Sequence, residues 1–426
     1  MKKTDIAVIG GGAAGLMAAG RAASLGARVL LLEQNEKIGR KIGITGKGRC
    51  NVTNACDLRT FMDQVVTNGR FLYSALNRLD PAGMMALLEK EGVPLKTERG
   101  SRVFPVSDCS FDIVDALGRY ARQNGGRLMT GTAVRSIRPT GEGFCLDTDG
   151  ETVEARRVIL ATGGKSYSVT GSRGDGLTWA AQLGHAIVDC RPGLIPLTVQ
   201  EDWVPELMGL SLKNTALYFE TGGKKIYEDF GEMLFTHFGV SGPMILSGSS
   251  RLQQYLRRKG LTWKEAGIRL HLDLKSALSA EELDRRLIRE MEAAPGKSFR
   301  NFLGTLLPQK LIGVFIRLTG IPTERRAADL DREERKNLGR LLKDLVITVT
   351  GTRPLEEAII TMGGVAVKEV DPGTMESKKC PGLFLAGELL DVDALTGGFN
   401  LQIAFSTGYA AGEGAARSCG CEPEKK

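Results

Sequence analysis

The sequence predicts an α/β fold in which a Rossmann-like domain is interrupted by a β-barrel-like insert that carries a helical subdomain. Two observations lead to this class. Short apolar strands that end in glycine occur near both ends of the 426-residue chain. Between them the pattern changes to short strands, then to helical periodicity, and then back. We therefore expect a first domain of residues 1–193 and 353–426, an insert of residues 194–275 and 344–352, and a helical subdomain of residues 276–343.

The first strand leads into a G-x-G-x-x-G turn formed by Gly10, Gly12 and Gly15. Gly10 permits a tight turn, Gly12 lets the backbone approach a pyrophosphate, and Gly15 lets the following helix lie close to the strand. A second apolar strand ends in Glu33, whose carboxylate is suited to a ribose hydroxyl and disfavours a 2′-phosphate. Because strand, helix, second strand and acid are in register, the sequence predicts a dinucleotide site that does not take NADP.

The elements between the first unit and the insert follow from periodicity and turn residues. We predict helices and strands in turn up to a second glycine-ended strand and a further helix. The predicted helices cover residues 70–91, 110–124 and 176–183, and the predicted strands cover residues 127–132, 134–139, 143–148, 151–154 and 157–164.

In the insert, residues 217–220, 224–227 and 268–274 are predicted strands, and Ser241 is the predicted cap of a helix at Pro243. Ser279 is a favourable N-cap for the helical subdomain, with Glu281 and Glu282 in the first turn. The chain then returns to a strand at 345–349, a third glycine-ended strand at 382–387 and a helix at 401–412.

Composition limits the classes of function. The formal charge of +7 and the pI near 8.9 are mild for this length and suit an anionic cofactor without demanding nucleic acid. Eight scattered cysteines, no signal-peptide pattern and no apolar run of about 18 residues predict a cytoplasmic protein that does not span a membrane. We expect a small-molecule substrate, no nucleic-acid partner and no metal, and we leave the oligomeric state open.

Three glycine-ended strands with an antiparallel hairpin region between the first two resemble the FAD-binding fold of disulfide reductases. The second strand is VILATG (158–163) and the third is LFLAGE (383–388). The resemblance implies that the backbone near Val134 meets adenine. It also implies that Glu388 lies against the ribityl chain, where aspartate is commoner, and that the helix starting near Asn400 faces the flavin pyrimidine edge.

Longer motifs resemble the HI0933-like flavoprotein family, which includes proteins called bile-acid-inducible flavoprotein and aminoacetone oxidase. They are RKIGITGKGRCNVTN (40–54), GEMLFTHFGVSGP (231–243), TMESK (374–378), AGELLDVD (386–393) and TGGFNLQ (396–402). The resemblance implies an FAD-dependent oxidoreductase with non-covalent FAD. The bile-acid side implies NAD(P)H-linked reduction of a carbon–carbon double bond in a steroid-like enone, and the aminoacetone side implies oxygen-dependent oxidation of a small amine. A tRNA-linked flavoprotein is an alternative of another class.

No second G-x-G-x-x-G motif with a flanking βαβ unit occurs, so we expect NAD(P)H to bind only transiently. No catalytic side chain is assigned. Cys50 is expected to pack or to present its amide more readily than to act in redox chemistry, and His237 is either a general acid or a hydrogen-bonded structural residue. The predicted FAD-binding residues are Gly10, Gly12, Ala13, Ala14, Gly15, Glu33, Gln34, Arg40, Lys41, Thr45, Gly46, Gly48, Arg49, Cys50, Asn51, Val134, Ala161, Thr162, Gly163, Gly387, Glu388, Asn400 and Leu401.

Overall fold

The structure is a computed structural model of the chain that describes residues 1–293 and 295–421. The chain divides into two units, each with its own apolar core: Met1–Gly193 together with the chain from Pro354 onward, and Leu194–Arg353. The strands are β1 Lys2–Ile9, β2 Val29–Leu32, β3 Thr53–Asn54, β4 Val65–Thr67, β5 Leu95–Glu98, β6 Arg102–Pro105, β7 Arg127–Met129, β8 Val134–Thr140, β9 Gly143–Thr148, β10 Val153–Leu160, β11 Ile187–Gly193, β12 Leu197–Val199, β13 Ser211–Thr221, β14 Lys224–Thr236, β15 Gly239–Ser241, β16 Arg269–Asp273, β17 Leu345–Thr352, β18 Ile360–Val365, β19 Leu383–Leu385 and β20 Asp393–Ala394.

In chain order, the helices of the first unit precede β11 or follow β20, and those of the second unit lie between β15 and β17. They are α1 Ala13–Ser24, α2 Arg40–Ile44, α3 Leu58–Gln64, α4 Tyr73–Arg78, α5 Pro81–Lys90, α6 Ser110–Gln123, α7 Asp175–Gln182, α8 Pro243–Lys259, α9 Trp263–Ala266, α10 Ala280–Ala293, α11 Phe299–Leu306, α12 Gln309–Thr319, α13 Arg332–Lys343 and α14 Phe399–Ser418. Short 3₁₀ segments occupy Thr45–Gly48, Gly69–Leu72, Ser168–Thr170, Val204–Leu207, Ala327–Asp329, Leu355–Glu357, Val367–Glu369 and Gly387–Leu389.

The first unit is built on a seven-stranded mixed sheet with the order β7-β2-β1-β10-β9-β8 and with β19 paired to β10. The strands β7, β2, β1, β10 and β19 run parallel, and β8 and β9 form an antiparallel hairpin. Residues 6–9 and all of β2 are buried, as expected for parallel strands covered on both faces. The carboxyl ends of β1, β10 and β19 therefore meet at one edge of the sheet.

One correction concerns the strand that joins the hairpin to the parallel sheet. We predicted separate strands at 151–154 and 157–164, but the structure has the single strand β10. Its first residues pair antiparallel with β9, and its last three pair parallel with β19. A single strand satisfies its backbone groups along one edge by changing partner halfway along.

The second unit contains a closed barrel with the order β12-β15-β14-β13-β16-β17. The helix α8 packs against it, and Gly248 permits a close approach because a Cβ atom there would lie 2.5 Å from the Phe219 ring. The hydroxyls of Ser249 and Ser250 accept hydrogen bonds from the backbone amides of Ile195 and Leu194, each at 2.9 Å. These bonds fix the segment that leads into β12.

The helical region lies in the same unit, and its buried side chains belong to the same apolar cluster as those of the barrel. Its predicted start is confirmed: the Ser279 hydroxyl accepts from the amide of Glu282 at 3.1 Å, and the Glu282 carboxylate accepts from the amide of Ser279 at 2.7 Å. The predicted cap at Ser241 is wrong. Ser241 ends β15, and Gly242 is the N-cap of α8, with Pro243 at its first position. The predicted α/β class with a barrel-like insert and a helical region is confirmed.

Candidate functional site

The turn between β1 and α1 is tightly packed except at one glycine. A Cβ atom added at Gly10, where φ is +105°, would lie 2.5 Å from the carbonyl oxygen of Ala161. A Cβ atom at Gly15 would lie 1.8 Å from the carbonyl oxygen of Gly10, whereas one at Gly12 would meet nothing within 4 Å. The helix α1 has no side-chain cap, so the amides of its first turn lack an intrahelical or capping partner. The turn therefore offers open space directly beside uncapped backbone donors.

Glu33 closes this turn from the end of β2. It is 8% exposed, and its Oε2 accepts from the amide of Gly11 at 2.6 Å. Its Oε1 accepts from the backbone and side-chain nitrogens of Asn35, at 2.8 and 2.6 Å. The side chain of the neighbouring Gln34 contacts another segment of the chain: its Nε2 donates to the carbonyl oxygen of Gly171 at 2.6 Å. Gly11 and Asn35 were absent from the predicted set, although both adjoin members of it.

Three cations of the basic loop at residues 39–54, namely Arg40, Lys41 and Arg49, bond to other protein groups. The Arg49 Nε donates to Asp108 at 2.8 Å, its Nη2 contacts Glu98, and its guanidinium lies 4.2 Å from the centre of the Phe104 ring. The Nε and one Nη2 donor of Arg49 are therefore engaged within the protein. The Arg40 Nη1 donates to Asn35 at 2.7 Å, which ties the exposed start of α2 to the turn beside Glu33.

Cys50 is a buried residue with a left-handed backbone, at φ +57°. Burial raises the pKa of its thiol to about 12, so the thiol is protonated at neutral pH. Its amide donates to the carbonyl oxygen of Thr45 at 3.0 Å, and Gly46 keeps the loop compact because a Cβ atom there would lie 2.9 Å from the amide nitrogen of Asn51. The arrangement suits packing and not thiol redox chemistry.

The end of the basic loop adjoins the start of α14. When the side-chain amide of Asn51 is oriented so that both its oxygen and its nitrogen have hydrogen-bond partners, the oxygen accepts from the backbone amide of Gly398 at 3.0 Å. A Cβ atom at Gly398 would lie 2.4 Å from the carbonyl oxygen of Thr53. The helix begins at Phe399 without a side-chain cap. The Asn400 side chain bonds to the backbone of Ala394, at 2.9 and 2.7 Å, so its part in a cofactor site is limited to its backbone amide.

The third glycine-ended strand reaches the same place. Gly387, at φ +74°, lies against α1, because a Cβ atom there would be 2.8 Å from the Cβ of Ala14. Gly408 brings α14 onto α1, since its Cβ would lie 2.3 Å from the carbonyl oxygen of Ala14. Short side chains thus allow the ends of β1 and β19 and two helices to converge.

Glu388 lies at the centre of a polar cluster beside this convergence. Its carboxylate contacts Lys41 Nζ at 2.6 and 2.9 Å, the Ser166 hydroxyl at 2.9 Å and the amide of Thr361 at 2.8 Å. A Cβ atom at Gly163 would lie 3.9 Å from Glu388 Oε2. The cluster therefore borders the second glycine turn as well as the third. Sequence reasoning did not identify Ser166 or Thr361 as site residues.

The remaining predicted residues fall in four places. Ala161, Thr162 and Gly163 follow β10, and the buried Thr162 hydroxyl has no hydrogen-bond partner within residues 1–293 and 295–421. Val134 begins β8, two residues after Thr132, whose amide donates to the carbonyl oxygen of Glu33 at 2.9 Å. Gly48 continues the left-handed backbone of the basic loop, and Leu401 lies in the first turn of α14.

The candidate general acid His237 belongs to the second unit. His237 is exposed between β14 and β15, with its ring 4.9 Å from that of Phe238, and so it lacks the buried setting of a structural histidine. The carboxylate of Asp391 accepts from Asn68 at 3.0 Å. Over the part of the chain that the structure describes, no His, Cys, Asp and Glu side chains gather as a possible metal site. Within the same residues, none of the helices has both the length and the apolar character needed to cross a membrane.

Comparisons with known proteins identify the family. A model described as HI0933-like protein Rossmann domain matches residues 4–414. The chain is 34% identical over 418 residues to the 3-dehydro-bile acid delta(4,6)-reductase of Clostridium scindens, covering 96% of this chain and 98% of that protein. It is 31% identical over 414 residues to the ribosomal RNA dihydrouridine synthase of Escherichia coli, covering 97% and 98%.

Among solved structures, 3-ketosteroid delta1-dehydrogenase from Sterolibacterium denitrificans, in complex with 1,4-androstadiene-3,17-dione, aligns with a TM-score of 0.51. The identity is 15%, and the alignment covers 98% of this chain and 100% of that chain, so the likeness extends to the fold alone. The family match and the full-length identity agree with the glycine-ended strands described above. The chain belongs to the HI0933-like family and is an FAD-dependent oxidoreductase built on a Rossmann-type domain.

Proposed function

We propose that this protein reduces a carbon–carbon double bond conjugated to a carbonyl group, using NAD(P)H as electron donor. The observation that carries the proposal is the full-length similarity to two reductive enzymes with different named substrates. A 4,6-unsaturated 3-oxo steroid and a uracil base both contain a double bond next to a carbonyl. Each accepts a hydride at a carbon conjugated with the carbonyl, which is the β-carbon of an enone or the δ-carbon of a dienone, and a proton at the other carbon of the same double bond. The chemistry common to both relatives is therefore the best supported for this chain.

The residues at the convergence of β1, β10 and β19 fit an extended anionic cofactor. Space is open beside Gly12, and the helices α1 and α14 both begin without side-chain caps. Uncapped helix N-termini favour phosphate groups and developing negative charge. We assign the pyrophosphate to the amides of the first turn of α1, and the flavin pyrimidine edge to the start of α14.

The other parts of FAD follow from this assignment. We place the adenosine ribose near Glu33, whose carboxylate oxygens face the turn, and the ribityl chain near Glu388. When bound, FAD supplies hydride chemistry, and the protein supplies binding, orientation and electrostatic tuning. The amides at the start of α14 stabilise negative charge on the ring. NAD(P)H has no dedicated dinucleotide motif in this sequence, so we propose that it binds only during reduction.

A steroid-like enone is the first candidate substrate, since the Clostridium scindens relative is named for such a compound. A uracil base in ribosomal RNA is the second. It is favoured by the names of the Escherichia coli and Haemophilus influenzae relatives and is compatible with the formal charge of +7. The absence of a nucleic-acid partner therefore remains a prediction. The oxygen-dependent amine oxidase stays an alternative that the same assay can detect.

The test is anaerobic reduction of the purified protein by NADH and by NADPH, followed by the addition of one acceptor at a time. The acceptors are a 4-en-3-oxo steroid, a uridine-containing ribosomal RNA transcript and oxygen. We expect reoxidation with stoichiometric saturation of a carbon–carbon double bond, measured by mass spectrometry. The Gly12→Val protein serves as the flavin-free control. In a parallel arm, aminoacetone replaces NAD(P)H as the electron donor. Reduction of the flavin by aminoacetone but not by NADH or NADPH, followed by rapid reoxidation by oxygen alone, would contradict the proposal.

A further inference from the structure

Lys41 lies in α2, and its ammonium donates hydrogen bonds only within the polar cluster around Glu388, among the residues that the structure describes. Its Nζ contacts the Ser166 hydroxyl at 2.8 Å and the two carboxylate oxygens of Glu388 at 2.9 and 2.6 Å. A lysine ammonium has three N–H donors, so these contacts use all of them. The side chains of Lys41 and Glu388 are 24% and 20% exposed. Lys41 is therefore a partner of Glu388 and has no donor left for a phosphate.

The two oxygens of Glu388 are in different situations. Oε1 accepts hydrogen bonds from Lys41 Nζ, the Ser166 hydroxyl and the backbone amide of Thr361. These three bonds use all of its acceptor capacity. Oε2 receives only Lys41 among the residues that the structure describes. Thr361 is 1% exposed and also accepts from the amides of Lys165 and Ser166, at 2.8 and 3.0 Å. The cluster thus holds the carboxylate rigidly and leaves Oε2 with acceptor capacity.

The cluster borders the site proposed for the flavin. Glu388 follows Gly387, which packs against Ala14 in the first turn of α1, and its Oε2 faces the turn at Gly163. A carboxylate and an ammonium 2.6 Å apart present almost no net charge to a neighbouring ring, whereas either one alone presents a full charge. The charge state of the pair therefore bears directly on the reduced flavin, which carries negative charge.

We propose that Lys41 is a positioning residue: it fixes Glu388 so that Oε2 faces the cofactor, and it neutralises the carboxylate beside the flavin. This inference rests on the proposed placement of FAD. Lys41→Met leaves an unbalanced carboxylate and disfavours reduction of the flavin. Glu388→Gln leaves an unbalanced ammonium and favours reduction. The two substitutions therefore move the flavin midpoint potential in opposite directions, which a purely structural role does not do.

The experiment compares FAD-loaded wild type, Lys41→Met, Lys41→Arg, Glu388→Gln and the double variant Lys41→Met with Glu388→Gln. Midpoint potentials are measured by equilibration with redox dyes, and FAD affinity by fluorescence titration of the apoproteins. Lys37→Met is the matched control, because Lys37 is an exposed lysine just before α2. Wild-type reduction and turnover are recorded separately, so failure of the proposed reaction is distinguishable from failure of this inference.

We expect Lys41→Met to lower the potential. It should also weaken FAD binding roughly ten- to a hundredfold, because Glu388 is then no longer held toward the cofactor and the hydrogen bond of its charged Oε2 is lost. Glu388→Gln should raise the potential, the double variant should return it toward wild type, and Lys41→Arg should preserve it. If Lys41→Met proves colourless, the double variant should regain flavin. Unchanged potentials, shifts of the same sign in both single variants, or a double variant that does not recover would overturn the inference.

Discussion

Two glycines of one turn should respond to substitution in separable ways. Gly12→Val places a side chain in open space beside the first turn of α1, whereas Gly15→Ala places a Cβ atom 1.8 Å from the carbonyl oxygen of Gly10. Gly12 has an extended backbone, at φ −88° and ψ −167°, which valine adopts without strain. The first change should therefore act on the cofactor, and the second on the fold.

The magnitudes follow from these contacts. Valine is a poorer N-cap than glycine, so the apoprotein of Gly12→Val should lose at most about 1 kcal/mol. Gly15→Ala should lose about 3 kcal/mol or more, because overpacking costs about 1–3 kcal/mol and here the opposing atom belongs to the backbone. FAD at a hundred times its Kd stabilises a protein by about 2.7 kcal/mol. The Gly12→Val protein should not gain that stabilisation, because it should not bind FAD.

The assay is urea unfolding of each protein with and without FAD, combined with fluorescence titration of FAD. We expect the stability of the Gly12→Val apoprotein to lie within about 1 kcal/mol of that of the wild-type apoprotein and its midpoint to show no shift on adding FAD. Gly15→Ala should have a lower midpoint in the absence of FAD. The assignment of the pyrophosphate is refuted if Gly12→Val binds FAD with wild-type affinity, or if its apoprotein is destabilised as much as that of Gly15→Ala.

Three further outcomes are expected. Glu33→Ala should weaken FAD binding roughly ten- to a hundredfold by removing charged hydrogen bonds, and unchanged affinity in a fluorescence titration would contradict the ribose assignment. Burial lowers the pKa of His185 although Glu369 opposes this, so the unfolded state binds the proton first as the pH falls below about 6.5. On acidification, the free energy of unfolding of the wild type should fall by at most about 1.4 kcal/mol per pH unit more than that of His185→Gln. The prediction is refuted if urea unfolding shows the same change between pH 7 and pH 5 in both proteins. Because burial raises the pKa of Cys50 to about 12, its native thiol should resist labelling at pH 8, and rapid labelling seen by mass spectrometry would contradict its burial.

The dinucleotide turn was readable from sequence because its geometry depends on small residues at fixed spacing. A Cβ atom at Gly10 or Gly15 would overlap backbone atoms, so the local geometry of the turn requires glycine at both positions. The barrel-like insert was also foreseeable, since alternation and turn residues mark its strands. The prediction of two strands in place of β10 was wrong. The two halves of β10 pair with different strands, and the local pattern of apolar residues carries no information about which strand is the partner.

The partners of the polar residues were not foreseeable. Lys41 meets Glu388 across 347 positions, and Ser166 meets it across 222. Arg49 is predicted to bind an anionic cofactor, and the fold also pairs its guanidinium with Glu98 and Asp108. Sequence patterns indicate that a cation is available, and only the fold decides which anion it meets. Ser166 had one weak signal, because it follows directly on the second glycine turn.

Cofactor and substrate are specified by different parts of the chain. The two relatives share the full length of this protein yet are named for a bile acid and for ribosomal RNA. The residues that we propose to hold the cofactor, such as Gly12 and Glu388, are therefore expected to be compatible with either substrate. Because a change at Lys41 acts through the flavin, it should alter the rates with all acceptors by a similar factor. A change that alters the rate with one acceptor only must act at a residue that contacts that acceptor. Comparing rates with the steroid and with RNA across the Lys41 and Glu388 variants thus separates tuning of the flavin from recognition of the substrate.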